Sequence, residues 1–250
     1  MNMLIHQLIG GPSDFGVGWI IILLSAIITI VVSLVSFTKW LVKKMQGVSR
    51  ALELVSLLDT GAHISHYMTL LGNPVYIGRN GHFQEHIFVN YYFYVQTLAD
   101  PNGQVALFSV TTRRKSFHPV LKTQFDSPLV KLGQTNFLRL GTPKKVFTSG
   151  DHGAITTYAE SYYFGFDGDY RTYAFSFNPN GYGKLAPVPS SFGLSNALEN
   201  PEEVKIFREN TIVNTYTISS LGDVNHNFQE LGSNVTFGPK HYQIRVFAKK

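Results

Sequence analysis

The chain has 250 residues, no cysteine, 14% aromatic and only 15% charged residues, and a formal net charge of +5. The absence of cysteine excludes disulfides, thiolate catalysis and cysteine-based zinc or iron–sulfur sites. The positive excess gives no nucleic-acid signal once apportioned: residues 1–50 hold four basic groups and one acid, and the other 200 hold 17 against 15, too even for a concentrated basic face.

Residues 1–14 form a short N-terminal tail. From residue 15 to 38 there is no formal charge, and the centre of the run is almost entirely Ile, Leu and Val. About 20 apolar residues cross a hydrocarbon core of roughly 30 Å, so the run predicts a transmembrane helix over 15–42. Trp19 and Trp40 stand at its two ends as interface anchors, followed by Lys39, Lys43 and Lys44. Basic residues beside a span stay on the cytoplasmic side, which predicts an outside N-terminus and a cytoplasmic C-terminal domain. A cleaved signal peptide fits poorly, for lack of a basic leading region and a small-residue cleavage site. Gly18, Ser25, Thr29, Ser33 and Ser36 fall on one helical stripe, a surface through which two such helices could associate. A juxtamembrane helix is expected over 43–60.

Beyond it, two segments echo each other. HYMTLLGNPVYI (66–77), HIFVNYYFYVQTL (86–98) and QVALFSVTT (104–112) are answered by NFLRLGTPKKVF (136–147), ITTYAESYYFGFD (155–167) and RTYAFSFNP (171–179). Gly72 and Gly141, Tyr91 and Tyr162, and Phe108 and Phe175 keep a near-constant offset, the mark of duplication. Each unit, 61–125 and 126–182, reads as a helix closed by a Leu-Gly-x-Pro and followed by an antiparallel meander. In the first unit strands are expected at 75–78, 83–89, 91–98 and 104–112, and in the second Pro128 opens a short helix over 128–140. A third, β-rich section occupies 183–250, with strands over Glu203–Arg208 and Asn210–Ser219 and alternation over His241–Phe247.

The fold class is therefore α+β: an N-terminal transmembrane helix, a tandem helix-plus-meander repeat and a β-rich C-terminal section. Over residues 62–178 the plan resembles the BamE-like and β-lactamase-inhibitor-like modules. That likeness implies protein binding and assembly rather than catalysis. The phrases FRENTIVNTYTIS (207–219) and FGPKHYQIRVF (237–247) are similar to an uncharacterised family of bacterial single-pass membrane proteins, which implies an inner-membrane location and carries no activity.

Chemistry-bearing groups are sparse. His63 and His66, and His82 and His86, have spacings that could share a metal only with a third ligand that is not evident. Asp151, His152, Asp167 and Asp169 sit in turns that favour Asp and Gly for conformational reasons. No phosphate loop, nucleophile elbow or carboxylate pair is present, so neither catalytic residue, metal nor cofactor is expected. Tyr92, Tyr94 and Tyr163 are the candidate protein-binding side chains, because strand alternation would leave tyrosines outward if helices covered one face only. The expected role is a membrane-tethered, non-enzymatic interaction protein whose partners are the bilayer, another protein and a second copy of itself, but no nucleic acid. The alternative is a membrane-bound sensor or effector binding a small ligand between its repeats, and a weaker third is a hydrolase built on the Asp and His residues.

Overall fold

Residues Pro12–Ser56 form one 45-residue α-helix, α1, with Pro at its first position, where a missing N–H costs nothing. The structure, a computed structural model, describes residues 12–121, 129–143, 145–151, 154–163, 171–189, 201–220 and 237–245. The chain divides into two units, residues 1–50 and 51–250.

The first unit corrects one expectation. Among the described residues, no helix is long and apolar enough to cross a membrane. Among its described side chains the apolar residues are interrupted by Ser25, Thr29, Ser33, Ser36 and Thr38, which lowers their mean hydropathy. The transmembrane helix, and the membrane and single-pass character attached to it, are withdrawn. The side chains of Gly18, Trp19, Trp40, Lys43 and Lys44 lie outside the described residues, and Lys39 is exposed.

The second unit is α+β and is organised by one large antiparallel sheet. Its strands are β1 (Tyr76–Asn80), β2 (Phe83–Val89), β3 (Phe93–Ala99), β4 (Val105–Thr112), β7 (Lys145–Asp151), β8 (Ala154–Tyr163), β9 (Thr172–Phe177) and β10 (Thr215–Ser219), in the order β1-β2-β3-β4-β10-β9-β8-β7. A separate two-stranded ribbon pairs β5 (Val120–Leu121) with β6 (Val130–Lys131). The helices of this unit are the last turns of α1, α2 (Ile64–Leu71), α3 (Pro201–Asn210) and the short α4 (His241–Ile244), with a 3-10 turn at Phe137–Leu140.

Two meanders thus meet at a strand drawn from the third section. β10 lies between β4 and β9, with Tyr216 opposite Val110 on one side and Phe175 on the other. At the outer edges the Leu-Gly-x-Pro segments hold equivalent places. Gly72 caps α2 with φ 84 and ψ −166, and Gly141 caps the 3-10 turn with φ 82 and ψ −152; β1 and β7 each begin four residues later. The other echoed pairs separate. Tyr91 stands in the β2–β3 connection and Tyr162 inside β8, while Phe108 and Phe175 lie on β4 and β9, which flank β10 from opposite sides.

Register assigns the two sheet faces. Phe88, Phe93, Val95, Phe108, Val110, Tyr216, Phe175, Tyr158 and Glu160 share one face. Tyr67 of α2 packs there, 6.4 Å from Phe88 and 6.1 Å from Phe108, and Phe137 and Phe207 meet Tyr158 at 4.9 and 4.8 Å. Each such aromatic contributes about 1.5–3 kcal/mol by leaving water. The opposite face, with Leu98, Leu107, Ala159 and Ala174, is covered by Phe237, and Ile244 of α4 packs on Ile87 and Tyr94. This core is two-sided.

Three elements differ from the sequence expectation. Glu203–Arg208 is helix, not strand: Pro201 starts α3, Glu202 and Glu203 stand in its first turn and Arg208 in its last, each matched to the helix dipole. The expected helix over 128–140 is confined to the 3-10 turn, because Gly133 takes φ 77 and turns the chain after β6. His241–Ile244 forms a helical turn in which Gln243 Oε1 accepts the Lys240 N–H at 2.7 Å.

Candidate interaction site

The β2–β3 connection is built by Asn90. Its Oδ1 accepts the Tyr92 N–H at 3.0 Å, and its own N–H reaches Phe93 O at 2.9 Å, a side-chain-supported turn of the kind Asn favours. The carbonyls this turn exposes are taken by the arginines after β4. Arg113 Nη1 donates to Asn90 O at 3.1 Å, Arg114 Nε to Tyr91 O at 3.3 Å and Arg113 N–H to Tyr92 O at 2.8 Å. Each guanidinium also covers a ring: Arg114 lies 4.4 Å from the Tyr91 centroid and Arg113 5.2 Å from that of Tyr94, within cation–π range.

The candidate tyrosines are distributed by this bend. Tyr94 is 5% exposed, beneath Ile244 and Arg113. Tyr92 is half-buried against Phe117 at 5.7 Å. The side chain of Tyr163 lies outside the described residues. Tyr91, placed by simple alternation with Phe93, instead projects from the turn and is 62% exposed. Asn90 between two apolar strands is the sequence signal for that bend.

The stripe on α1 is exposed at Ser25, Thr29, Ser33 and Ser36. Ser25 Oγ donates to Ile22 O and Thr29 Oγ1 to Ser25 O, both at 2.8 Å, so those hydroxyls are satisfied within their own helix. Around them Ile28, Val32, Leu34 and Phe37 are exposed.

The histidines have local roles. His63 caps α2 by accepting the Ser65 N–H at 3.2 Å, His66 Nε2 lies 3.3 Å from Leu57 O, and the His82 ring lies tilted against Phe83 with centroids 3.9 Å apart. His86 is buried, and burial holds its pKa below the ordinary value. Among the described residues, no group of three His, Asp or Glu could hold a metal ion. Asp151 is in β7, while His152, Asp167 and Asp169 lie outside the described residues.

Two buried carboxylates are hydrogen-bonded by neighbours. Glu160 accepts from Tyr158 and Tyr162 hydroxyls and from Arg208 Nε at 2.6 Å and Nη2 at 3.1 Å. Burial first, and then the Glu160 charge, push both phenols above their ordinary pKa. Glu85 accepts from Gln96 and, at 2.8 Å, from Gln243 of α4. A cleft of about 470 Å³ opens between the β1–β2 and β3–β4 turns, lined by Arg79, His82, Gln84 and Asp100. It belongs to the first repeat alone.

No family model matches this chain, and no curated protein does. Among solved structures, the chain is similar to a cysteine-rich secretory protein from Staphylococcus aureus at 9% identity and a TM-score of 0.27. The match covers 64% of this chain and 44% of that one, so this chain spans less than half the length of that structure.

Proposed function

We propose that this chain is a non-enzymatic interaction protein whose body, residues 51–250, binds a protein partner through the sheet end carrying Tyr91, and whose α1 brings copies together. The observation that carries this reading is the 62% exposed Tyr91 ring, held by Arg114 above a turn whose carbonyls are already satisfied. Tyr and Arg are the residue types that dominate binding hot spots, and a pre-ordered pair loses little freedom on docking. Both buried carboxylates are consumed by structural bonds, which favours binding over catalysis. On α1, apolar side chains exposed over residues 22–37 favour burial against another helix.

A photo-reactive phenylalanine analogue at position 91 tests the site. The expected result is one discrete cross-linked protein species from position 91 and none from position 57, an exposed apolar position at the other end of the sheet. Equal labelling from both positions, or none from 91, would overturn the assignment.

A further inference from the structure

Several basic groups far apart in the chain are gathered by the fold at one end of the sheet. The β2–β3 turn, residues 113–121 and 129–136, residues 178–189 and residues 237–245 all converge there. Tyr182 N–H donates to Thr112 O at 2.7 Å, His118 Nδ1 lies 2.8 Å from Leu132 O, Gly133 N–H donates to Val213 O at 2.7 Å and Asn180 Nδ2 to Pro239 O at 2.8 Å. These segments carry Arg113, Arg114, Lys115, Lys131, Lys184, Lys240 and Arg245, and no Asp or Glu among their described residues. None of Lys115, Lys131, Lys184 and Lys240 is ion-paired within the described residues. Glu209 on α3 flanks this end, its carbonyl accepting from Asn136. At the opposite end the charges are mixed, with Asp59 paired to Arg171 at 2.8 Å and Asp100 in the β3–β4 turn.

The pole is not purely polar. Leu129 is 63% and Val120 44% exposed on the β5–β6 ribbon beside Lys131, and Tyr242 is exposed on α4. A single-stranded nucleic acid would need open ring faces for base stacking. Here one face of Tyr91 is already taken by Arg114, and Tyr92 meets that ring edge-on at 4.9 Å. Aliphatic side chains beside unpaired lysines suit a polypeptide carrying both carboxylates and apolar side chains.

Resting on the binding role proposed above, we infer that the partner segment is acidic and apolar, a peptide stretch whose carboxylates meet Arg114, Lys115 and Lys131 while its aliphatic side chains cover Leu129 and Val120. Arg114 is suited to this, since its Nε is fixed on Tyr91 O while its remaining N–H groups stay available for a forked contact with a carboxylate.

The test uses the full-length chain in mild detergent and three fluorescent probes: a 12-residue peptide of Glu and Leu, the same peptide with Gln for Glu, and a 20-nucleotide thymidine strand. The expected result is binding of the acidic peptide that weakens with salt, at least tenfold weaker binding of the Gln peptide and of the thymidine strand, and at least tenfold loss in Arg114→Ser with Lys115→Ser. Lys131→Glu with Lys184→Glu, exposed ribbon and loop positions, gives the same loss without touching the turn. No binding, equal binding of the two peptides, indifference to both variants, or tighter binding of the thymidine strand would each overturn the inference. A cross-link at position 91 to a partner without an acidic segment would leave the binding role standing and this inference fallen.

Discussion

Arg208 of α3 lies with its Nε 2.6 Å from Oε1 of Glu160 in β8, a carboxylate with no exposed surface, while its Nη2 also donates to the carbonyls of Phe137 and Gly141. One guanidinium therefore ties the helix, the sheet and the turn that closes the second repeat. Removing one partner of a buried pair strands the other charge at a cost of about 3–5 kcal/mol. Arg208→Ala is expected to lose that much in urea unfolding, with no change in the slope against denaturant. A loss below 1 kcal/mol would mean that the two tyrosines alone carry the carboxylate.

Replacing both partners should hurt far less than replacing one. Glu160→Gln with Arg208→Met removes the charges together, and such swaps cost little because desolvation disappears with the ion pair. The double variant is expected to be at least about 2 kcal/mol more stable than Arg208→Ala, which a double-mutant cycle reads directly.

Gly238 fastens the covering segment to the sheet. Its N–H donates to Gln96 Oε1 at 2.7 Å, its φ is 84, and a Cβ there would meet Thr111 Oγ1 and, at 2.8 Å, Asn178 Nδ2. Left-handed backbone costs a non-glycine residue about 1–2 kcal/mol, and overpacking adds about 1–3. Gly238→Ala is expected to destabilise the body by about 2–5 kcal/mol. Gly61→Ala, with φ 82 but open space around it, should lose only the first part, measured by the same unfolding curves.

Stability should fall in mild acid because of His86. Its Nδ1 has no hydrogen-bond partner among the described residues, nor has Thr97 Oγ1 directly opposite in register. Burial keeps the folded imidazole below 6.5. Above 6.5 both states are neutral at this residue and it contributes no pH dependence. Below 6.5 the unfolded chain binds a proton that the folded one refuses, so stability declines as pH falls and levels off below the folded value. The slope is at most about 1.4 kcal/mol per pH unit. Unfolding of the wild type and of His86→Leu at pH 7.5 and 5.5 isolates it: only the wild type should show this loss.

On α1, Ile28→Ser with Val32→Ser is expected to lower the assembled mass seen by light scattering, since both side chains are exposed and would be buried against a second copy. An unchanged mass would remove this face from the self-association surface.

Period-2 alternation and strong turn signals made β2, β3 and β4 legible almost to the residue, and Leu-Gly-x-Pro located the caps at Gly72 and Gly141. The α3 region reads as strand over Glu203–Arg208, whereas Pro201 and the graded charges Glu202, Glu203 and Arg208 set a helix. The span reading rests on an uncharged apolar run with Trp19 and Trp40 at its ends and lysines beside it. The basic pole was illegible for a different reason: Arg114, Lys131, Lys184 and Lys240 are separated by tens of residues and meet only through loops closing over one end of the sheet. Tyr91 is misplaced by a strand expected to begin at residue 91, whereas β3 begins at Phe93 after the Asn90 turn.

The seam strand has a consequence for biogenesis. Thr217 of β10 meets Ser109 of β4 across 108 positions of chain, so during synthesis the first meander waits with an open flank until residues 215–219 leave the ribosome. Long-range closure of this kind is slow, and an unpaired β4 is a template for the wrong partner. A nascent chain halted near residue 190 should therefore draw chaperones, whereas one released past residue 220 can zip its two halves into a single sheet.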